Sequence, residues 1–288
     1  MVSTNIKSVK ISVLSGKGGT GKTTVSVNFA KTIDNSVYVD CDVEEPNGYL
    51  FLKPIIHDEI PVNVIIPEIN YDKCTLCGDC VKACRFGALS KLSKRILVFD
   101  HLCHSCGACF EMCPHNAITE KNKTIGNVRV GNAGNIEFIE GKLNTGEASG
   151  VPVLRRIDSM IKSNAWNIVI VDSPPGTSCS VIHSIEGSDI CILVTEPTPY
   201  GLHDLDLAVK LLRLMNLPMA VIINKSGESD EIIEKYCSKQ NIRILMKIPF
   251  KKEFAEAYSK GKLLIDFDNK IKEGFKQLSF DIMELISK

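Results

Sequence analysis

The sequence lacks a surplus of either charge, with 34 basic residues standing against 34 acidic ones. A balanced chain offers no long-range attraction to nucleic acid or to an anionic membrane, so no nucleic-acid partner is expected. It also lacks any run of roughly 18 apolar residues, which excludes a hydrophobic helix long enough to span a membrane. The opening stretch Met1 to Lys7 has no uninterrupted apolar core of the signal-peptide kind. These absences predict a cytoplasmic chain. What is present suffices for a sizeable core, since 44% of the 288 residues are apolar and that length suggests about two domain-sized units. Twelve cysteines would suggest disulfides in a secreted chain, whereas closely spaced cysteines in an intracellular one point to metal ligation.

Short apolar, β-branched runs occur at Ile11 to Leu14, Val37 to Val39, Ile168 to Val171, Ile190 to Val194, Ala220 to Ile223 and Ile242 to Ile248. Such runs suit buried parallel strands. The amphipathic stretches Val25 to Ile33, Leu205 to Leu214 and Glu231 to Cys237 supply crossover helices, so the expected fold is α/β with a doubly wound, mostly parallel sheet. From about Asn70 to Ala117 cysteine density rises and apolar runs become rare, which predicts an insertion. The chain is therefore divided into 1–66, an inserted unit 67–120, and 121–288. The Gly- and Asn-rich stretch Asn122 to Gly150 reads as turns joining short strands. A final helix carrying Ile271, Phe275, Leu278, Ile282 and Leu285 is expected to pack on the core, because Asp281 and Glu284 make its polar face poor for anionic lipid.

Gly16-Lys17-Gly18-Gly19-Thr20-Gly21-Lys22-Thr23 fits G-x-x-x-x-G-K-[ST], follows an apolar strand and opens a helix. Glycines let the backbone wrap phosphates with convergent N–H donors, and the helix N-terminus adds a favourable dipole. In this motif Lys22 meets the β- and γ-phosphates, and Thr23 offers a hydroxyl to Mg²⁺. Thr24 adjoins the same site.

The extra lysine, Lys17, resembles the signature of the deviant Walker A ATPases, a group that includes MinD, ParA, Mrp and the nitrogenase iron protein. Val39-Asp40-Cys41-Asp42-Val43-Glu44-Glu45-Pro46-Asn47 looks like that family's switch I, and Val171-Asp172-Ser173-Pro174-Pro175-Gly176 like its switch II. The resemblance implies an ATP-dependent homodimer with two nucleotides between the subunits. Lys17 would then reach the partner's phosphates, Asp42 would orient the attacking water and Asp172 would hold the Mg²⁺ shell. Asn224-Lys225-Ser226-Gly227 begins like a guanine-reading N-K-x-D but ends in glycine, which favours ATP, with Asn224 an adenine contact by family resemblance. Val194 to Asp204 is also similar to the group.

The cysteines form a duplication. Cys74-x2-Cys77-x2-Cys80-x3-Cys84 recurs twenty-nine residues later as Cys103-x2-Cys106-x2-Cys109-x3-Cys113-Pro114, with Gly78 matching Gly107 and Ala88 matching Ala117. Roughly fifty residues here resemble bacterial ferredoxins with two [4Fe-4S] clusters. The resemblance implies a crossed ligand set, with Cys74, Cys77, Cys80 and Cys113 on one cluster and Cys84, Cys103, Cys106 and Cys109 on the other. Arg85 stands where that family commonly has proline. Zinc is the competing reading, although zinc motifs seldom carry two complete copies of three evenly spaced cysteines. Taken together, the chain resembles MinD-superfamily ATPases with an inserted ferredoxin domain.

Cys41, Cys191 and Cys237 read as buried small hydrophobes. Cys179 lies seven residues after Asp172, where the nitrogenase iron protein places a cluster ligand, but is expected to be a buried cysteine opening a helix. His104, His115 and the other histidines form no spaced ligand set. The leading functional expectation is an ATP-gated electron carrier serving a redox partner. The alternative is an iron–sulfur cluster assembly or carrier ATPase, whose Mrp-like members commonly have a C-terminal Cys-x-x-Cys that this chain lacks. A MinD-like or ParA-like positioning protein ranks last, since no basic membrane helix or DNA-binding patch is evident.

Overall fold

The computed structural model describes residues 8–163 and 166–287, so the amino-terminal stretch read for a leader lies outside the described residues. In chain order the elements begin β1 Val9–Leu14, α1 Lys22–Lys31, β2 Ser36–Asp40, α2 Tyr49–Leu52, β3 Ile55–Ile69 and α3 Asp79–Ala83. They continue β4 Leu89–Lys91, β5 Ile96–Val98, α4 Ala108–Glu111, β6 Ile118–Ala133, β7 Ile136–Leu143, α5 Val151–Ser163 and β8 Ile168–Asp172. The remainder is α6 Cys179–Ile185, β9 Ile190–Thr195, α7 Pro199–Leu214, β10 Met219–Ser226, α8 Glu231–Gln240, β11 Ile244–Pro249, α9 Lys252–Ser259 and α10 Asn269–Ile286.

Nine strands form one sheet in the order β11-β10-β9-β1-β8-β2-β7-β6-β3, parallel from β11 to β7 and antiparallel at β6 and β3. The six apolar runs map onto the parallel strands, five of which are buried on both sides under helices, whereas the edge strand β11 is mostly half-buried and begins two residues into its run. One apolar layer lies under α1, α9 and α10, and two others lie under α6 to α8 and under α5. The last helix packs as its spacing demands: Ile271, Phe275, Leu278 and Ile282 are buried, and Leu285 is packed against them. Asp268 caps this helix by accepting from the amides of Lys270 and Ile271. At α7, Thr198 caps through a bond from Gly201 N, and Pro199 occupies the first turn, where a missing N–H costs nothing.

One sequence expectation fails, and one strand goes unread, in the same place. The segment from Asn122 to Gly150 is not a series of turns and short strands: β6 runs for 16 residues and joins β7 through a tight turn at Gly134, whose φ is 71°. Gly126 and Gly131 sit inside the ladder, where a Cβ would collide with the carbonyls of Lys142 and Ile55. They are sites of close strand approach, and not turns. The partner strand β3 was not anticipated at all. It pairs with β6 from Ile55↔Asn132 to Ile69↔Ile118, making a long antiparallel arm with residues 70–117 at its end. Those residues hold the β4–β5 hairpin, two short helices and a small apolar cluster of Cys80, Leu89 and Ile96 with Ile118.

The cysteine duplication is visible in the backbone. Leu76, Gly78 and Gly87 have φ of 59°, 88° and 66°, and their equivalents twenty-nine residues on, Ser105, Gly107 and Asn116, have 55°, 74° and 47°. Gly78 and Gly107 each open a short helix from the left-handed region. Ala88 and Ala117 are both buried.

Candidate functional site

The loop between β1 and α1 is held by backbone bonds on either side. Ser173 N donates to Val13 O, Gly176 N donates to Ser15 O, and the Ser15 hydroxyl donates to Lys17 O at 2.6 Å. Gly16 sits so tightly against the Asp204 backbone of α7 that a side chain would overlap it. Gly21 caps α1 in the left-handed region, at φ 95°, with the Asn224 amide where its Cβ would be. Asn224 Nδ2 donates to Thr20 O at 2.8 Å, so this residue braces the loop from β10.

A cavity of about 420 Å³ opens over this loop. Gly18, Gly19, Gly21, Lys22, Thr23 and Thr24 line it on the loop side, and Asp42 lines it from the segment after β2. Asn224 is also in its wall, whereas Gly16, Lys17, Thr20 and Asp172 are not. The opposite wall comes from residues the sequence reading missed: Phe250, Lys251, Phe254 and Tyr258, after β11 and on α9. Their one sequence signal is position, since ligands of such sheets bind outside the carboxyl ends of the strands.

Carboxylates converge beneath the cavity. Asp172 ends β8, Asp40 ends β2 in register with it, and Glu140 on β7 pairs with Asp40 on its other side. All three are buried. Asp40 accepts from the amides of Asp42, Asn47 and Gly48 at 3.1, 3.1 and 2.9 Å, which fixes the turn presenting Asp42. Burial drives the Asp40 carboxyl well above the usual carboxylate range, with the charge of Asp172 adding to the rise. Asp172 accepts from Tyr38 Oη at 3.0 Å. Burial raises its pKa too, against the opposing charge of Lys22, the hydrogen bond from Tyr38 and the nearby hydroxyls of Thr23 and Ser26. Its Oδ1 is buried without a partner, as are Thr20 Oγ1 and Glu140 Oε2. Glu140 accepts through its other oxygen from Arg129, whose guanidinium lies 5.4 Å from the Tyr49 ring centroid. Burial pushes Asp42 up to about 6, against the pull of Lys22.

No disulfide joins any of the twelve cysteines. Cys74, Cys77, Cys80 and Cys113 line one small cavity in the terminal segment, and Cys84, Cys103, Cys106 and Cys109 line a second, larger one. Two backbone amides point at sulfur: Ser105 N lies 3.4 Å from Cys103 Sγ, and Ala117 N lies 3.3 Å from Cys113 Sγ. Burial raises the Cys80 and Cys103 thiols and pushes Cys109 up to about 11, with neighbouring thiols contributing. Among the described residues, no three His, Cys, Asp or Glu side chains are grouped so as to hold a single ion. Cys41, Cys191 and Cys237 are buried as expected. Cys179 is the first residue of α6 but is exposed, contrary to the expectation of burial, because the helix turns Val181, Ser184 and Ile185 inward instead.

A strand, a glycine loop wrapping a helix N-terminus, and a buried aspartate on the neighbouring strand together define a P-loop nucleotide-binding protein of the α/β class. The chain matches the CobQ/CobB/MinD/ParA nucleotide binding domain over residues 11–265, and it belongs to that family. It is 32% identical over 269 residues to MJ0579, an uncharacterised protein of Methanocaldococcus jannaschii, covering 90% of this chain and 92% of that one. It is 24% identical to a Methanococcus maripaludis protein named iron-sulfur cluster carrier protein, covering 97% of this chain and 86% of that one. Among solved structures, the septum site-determining protein MinD of Pyrococcus horikoshii, complexed with Mg-ADP, shares the fold with a TM-score of 0.57 at 19% identity, covering 96% of each chain. Among the described residues no helix is long and apolar enough to cross a membrane.

Proposed function

We propose that the chain binds and hydrolyses ATP and carries two [4Fe-4S] clusters in an inserted ferredoxin-like unit, residues 67–120, with nucleotide state gating electron transfer in a homodimer. The observation that carries this reading is the partition of the eight motif cysteines. The fold sorts them into two sets of four, each made of three cysteines from one motif and the fourth from the other. That crossover is what a pair of cubanes demands of a duplicated motif. The donor chemistry fits: sulfur-only sets, with backbone N–H groups directed at two of the sulfurs. When bound, the clusters would supply one-electron storage. The protein's own contribution is to hold four thiolates around each cavity and to set the burial around them.

In the nucleotide site, Lys22 and the loop amides would bind the phosphates, while the Thr23 hydroxyl and the unpartnered Asp172 Oδ1 would hold a Mg²⁺ shell. Asp42, presented by the Asp40 turn, would orient the attacking water, and Lys17 would reach a partner subunit's phosphates. The aromatic wall at Phe250, Phe254 and Tyr258 would take the adenine beside Asn224.

The test is direct. Anaerobically purified chain should contain about eight irons and eight sulfides, with paramagnetic cubane signals on reduction. Zinc without iron after anaerobic reconstitution would overturn the reading. A second function, cluster assembly or delivery, is favoured by relatives at 22–26% identity that are named iron-sulfur cluster carrier proteins. ATP-dependent transfer of iron and sulfide to an apo-ferredoxin, leaving the donor depleted, would select it over electron transfer.

A further inference from the structure

The two cysteine cavities are not equivalent in their surroundings. The one at Cys74, Cys77, Cys80 and Cys113 is walled only by residues between Ile69 and Ile118. The one at Cys84, Cys103, Cys106 and Cys109 is walled in addition by Pro152 and Arg155, both on α5 of the nucleotide-binding body. A second tie lies beside it: Lys123 Nζ donates to Asp100 O at 3.1 Å, just before Cys103, and pairs with Glu147 at 2.7 Å, just before α5. Both side chains of that ion pair are mostly buried.

The same helix rests on the segment that presents Asp42. Val43, the next residue, is buried against the start of α5: a Cβ on Gly150 would lie 2.5 Å from Val43 Cγ2. One on Gly141 would fall at 2.7 to 2.9 Å from Val43, Ile157 and Val153 together. Val43 O also accepts from Leu143 N at 2.8 Å. Two glycines thus let Val43 seat directly on the helix that carries Arg155. Close-packed interiors pass displacement on because they have no slack to absorb it. Any shift of Asp42 that moves Val43 therefore bears on α5.

We propose that Arg155 is a positioning residue that sets the reduction potential of the group held by Cys84, Cys103, Cys106 and Cys109, and that nucleotide occupancy acts on that group alone, through Val43 and α5. This rests on the cluster reading above. Taking up one electron from an external donor makes the bound group more negative by one charge, and no proton or leaving group is involved. Arg155 is exposed on the wall of that cavity, and a positive charge there favours the reduced form even after solvent screens part of its pull. If α5 moves with nucleotide, the guanidinium moves with it, while the other cavity keeps the same neighbours. By reciprocity, reduction of this group must change nucleotide affinity by the matching factor.

The experiment is an EPR-monitored titration of the anaerobically purified full-length chain with dithionite, with and without Mg²⁺ and AMPPNP. Cys77→Ser and Cys106→Ser assign the two signals. Arg155→Gln should lower the potential of the Cys106-assigned signal and leave the other in place, and Arg155→Lys should restore it. AMPPNP should shift the same signal in wild type, and the shift should shrink in Arg155→Gln and in Val43→Ala. A shift of the Cys77-assigned signal as large as that of its neighbour, or no change of either in Arg155→Gln, overturns the proposal while leaving the cluster reading intact. Protein that holds no iron overturns both. Exchange of the α5 amides, read by hydrogen–deuterium exchange with and without AMPPNP, supplies a check that does not depend on iron, and identical exchange removes the link through Val43.

Discussion

The nucleotide pocket and the cysteine segment rest on very different foundations. Three apolar clusters pack against the sheet that carries the pocket, and the loop is tied to its neighbours by backbone bonds from Ser173 and Gly176 and by the side-chain amide of Asn224. The cysteine segment, residues 70–117, has a buried cluster of Cys80, Leu89 and Ile96 with Ile118, and half of the partly buried residues packed against it are its own cysteines. A core that small seldom supplies more than about 3–5 kcal/mol, so such a unit needs staples or a metal group. The comparison teaches that the pocket exists before its ligand does, while the segment at the end of the arm would, on the proposed reading, be completed by what its thiols hold.

The largest effect should come from stripping the metal. Treating reduced protein with an iron chelator under argon should abolish amide-exchange protection across α3, β4 and β5 while β1 and β8 keep theirs. Retained protection in the apo segment would break the contrast. Next in size is a cut at the other foundation. Phe275, on the inner face of α10, is fully buried, and Phe275→Ala should destabilise the sheet by about 3–5 kcal/mol in urea. Iron per folded chain should be unchanged, and iron lost in proportion to sheet stability would show the two regions to be one folding unit. Third is Lys22→Ala, which removes a charge-assisted contact of about 1.5–3 kcal/mol and should weaken ATP binding about 100-fold by calorimetry, again with iron retained. Lys17→Ala should keep most of the binding yet lose hydrolysis. Equal binding loss in both would remove the role assigned to Lys17 across a dimer.

Which parts could be read from sequence follows from how each is built. The parallel strands were legible because both of their faces are buried, which leaves continuous apolar runs such as Ile190 to Val194. The arm was not: along β3 exposed and half-buried residues predominate, and in β6 the glycines at 126 and 131 imitate turns while serving close approach. The phosphate loop is contiguous in sequence and announced itself. The wall at Phe250, Phe254 and Tyr258 comes from the far end of the chain without a motif, and Glu140 joins the carboxylate row only through sheet register. The cysteine spacing announced two motifs. That only one of the resulting cavities touches α5 required the fold.

The smallest predicted effect sharpens the contrast from inside the pocket. Asp42 is held in place by the Asp40 turn, and burial pushes its carboxyl up to about 6 although Lys22 opposes the rise. A raised acid pKa in the folded state has a definite sign: between the ordinary carboxylate value near 4 and about 6 the folded chain holds a proton that the unfolded chain has released. Stability from this group therefore falls as pH rises through that window and stays reduced above it. Asp42→Asn keeps the shape, removes the charge, and should make the nucleotide-free protein more stable than wild type at pH 7.5, with the gain fading as pH drops toward 4. The same variant should lose hydrolysis, because an amide cannot offer the attacking water the carboxylate that orients it, and the wild-type rate should fall on the acid side of about pH 6. On the proposed reading, a carboxylate kept ionised where the fold disfavours it is stability yielded to function, a trade that functional sites commonly show. Urea melts of both proteins at pH 4.5, 6 and 7.5 decide the matter: an Asp42→Asn protein no more stable than wild type at pH 7.5 would show that Asp42 is an ordinary turn aspartate.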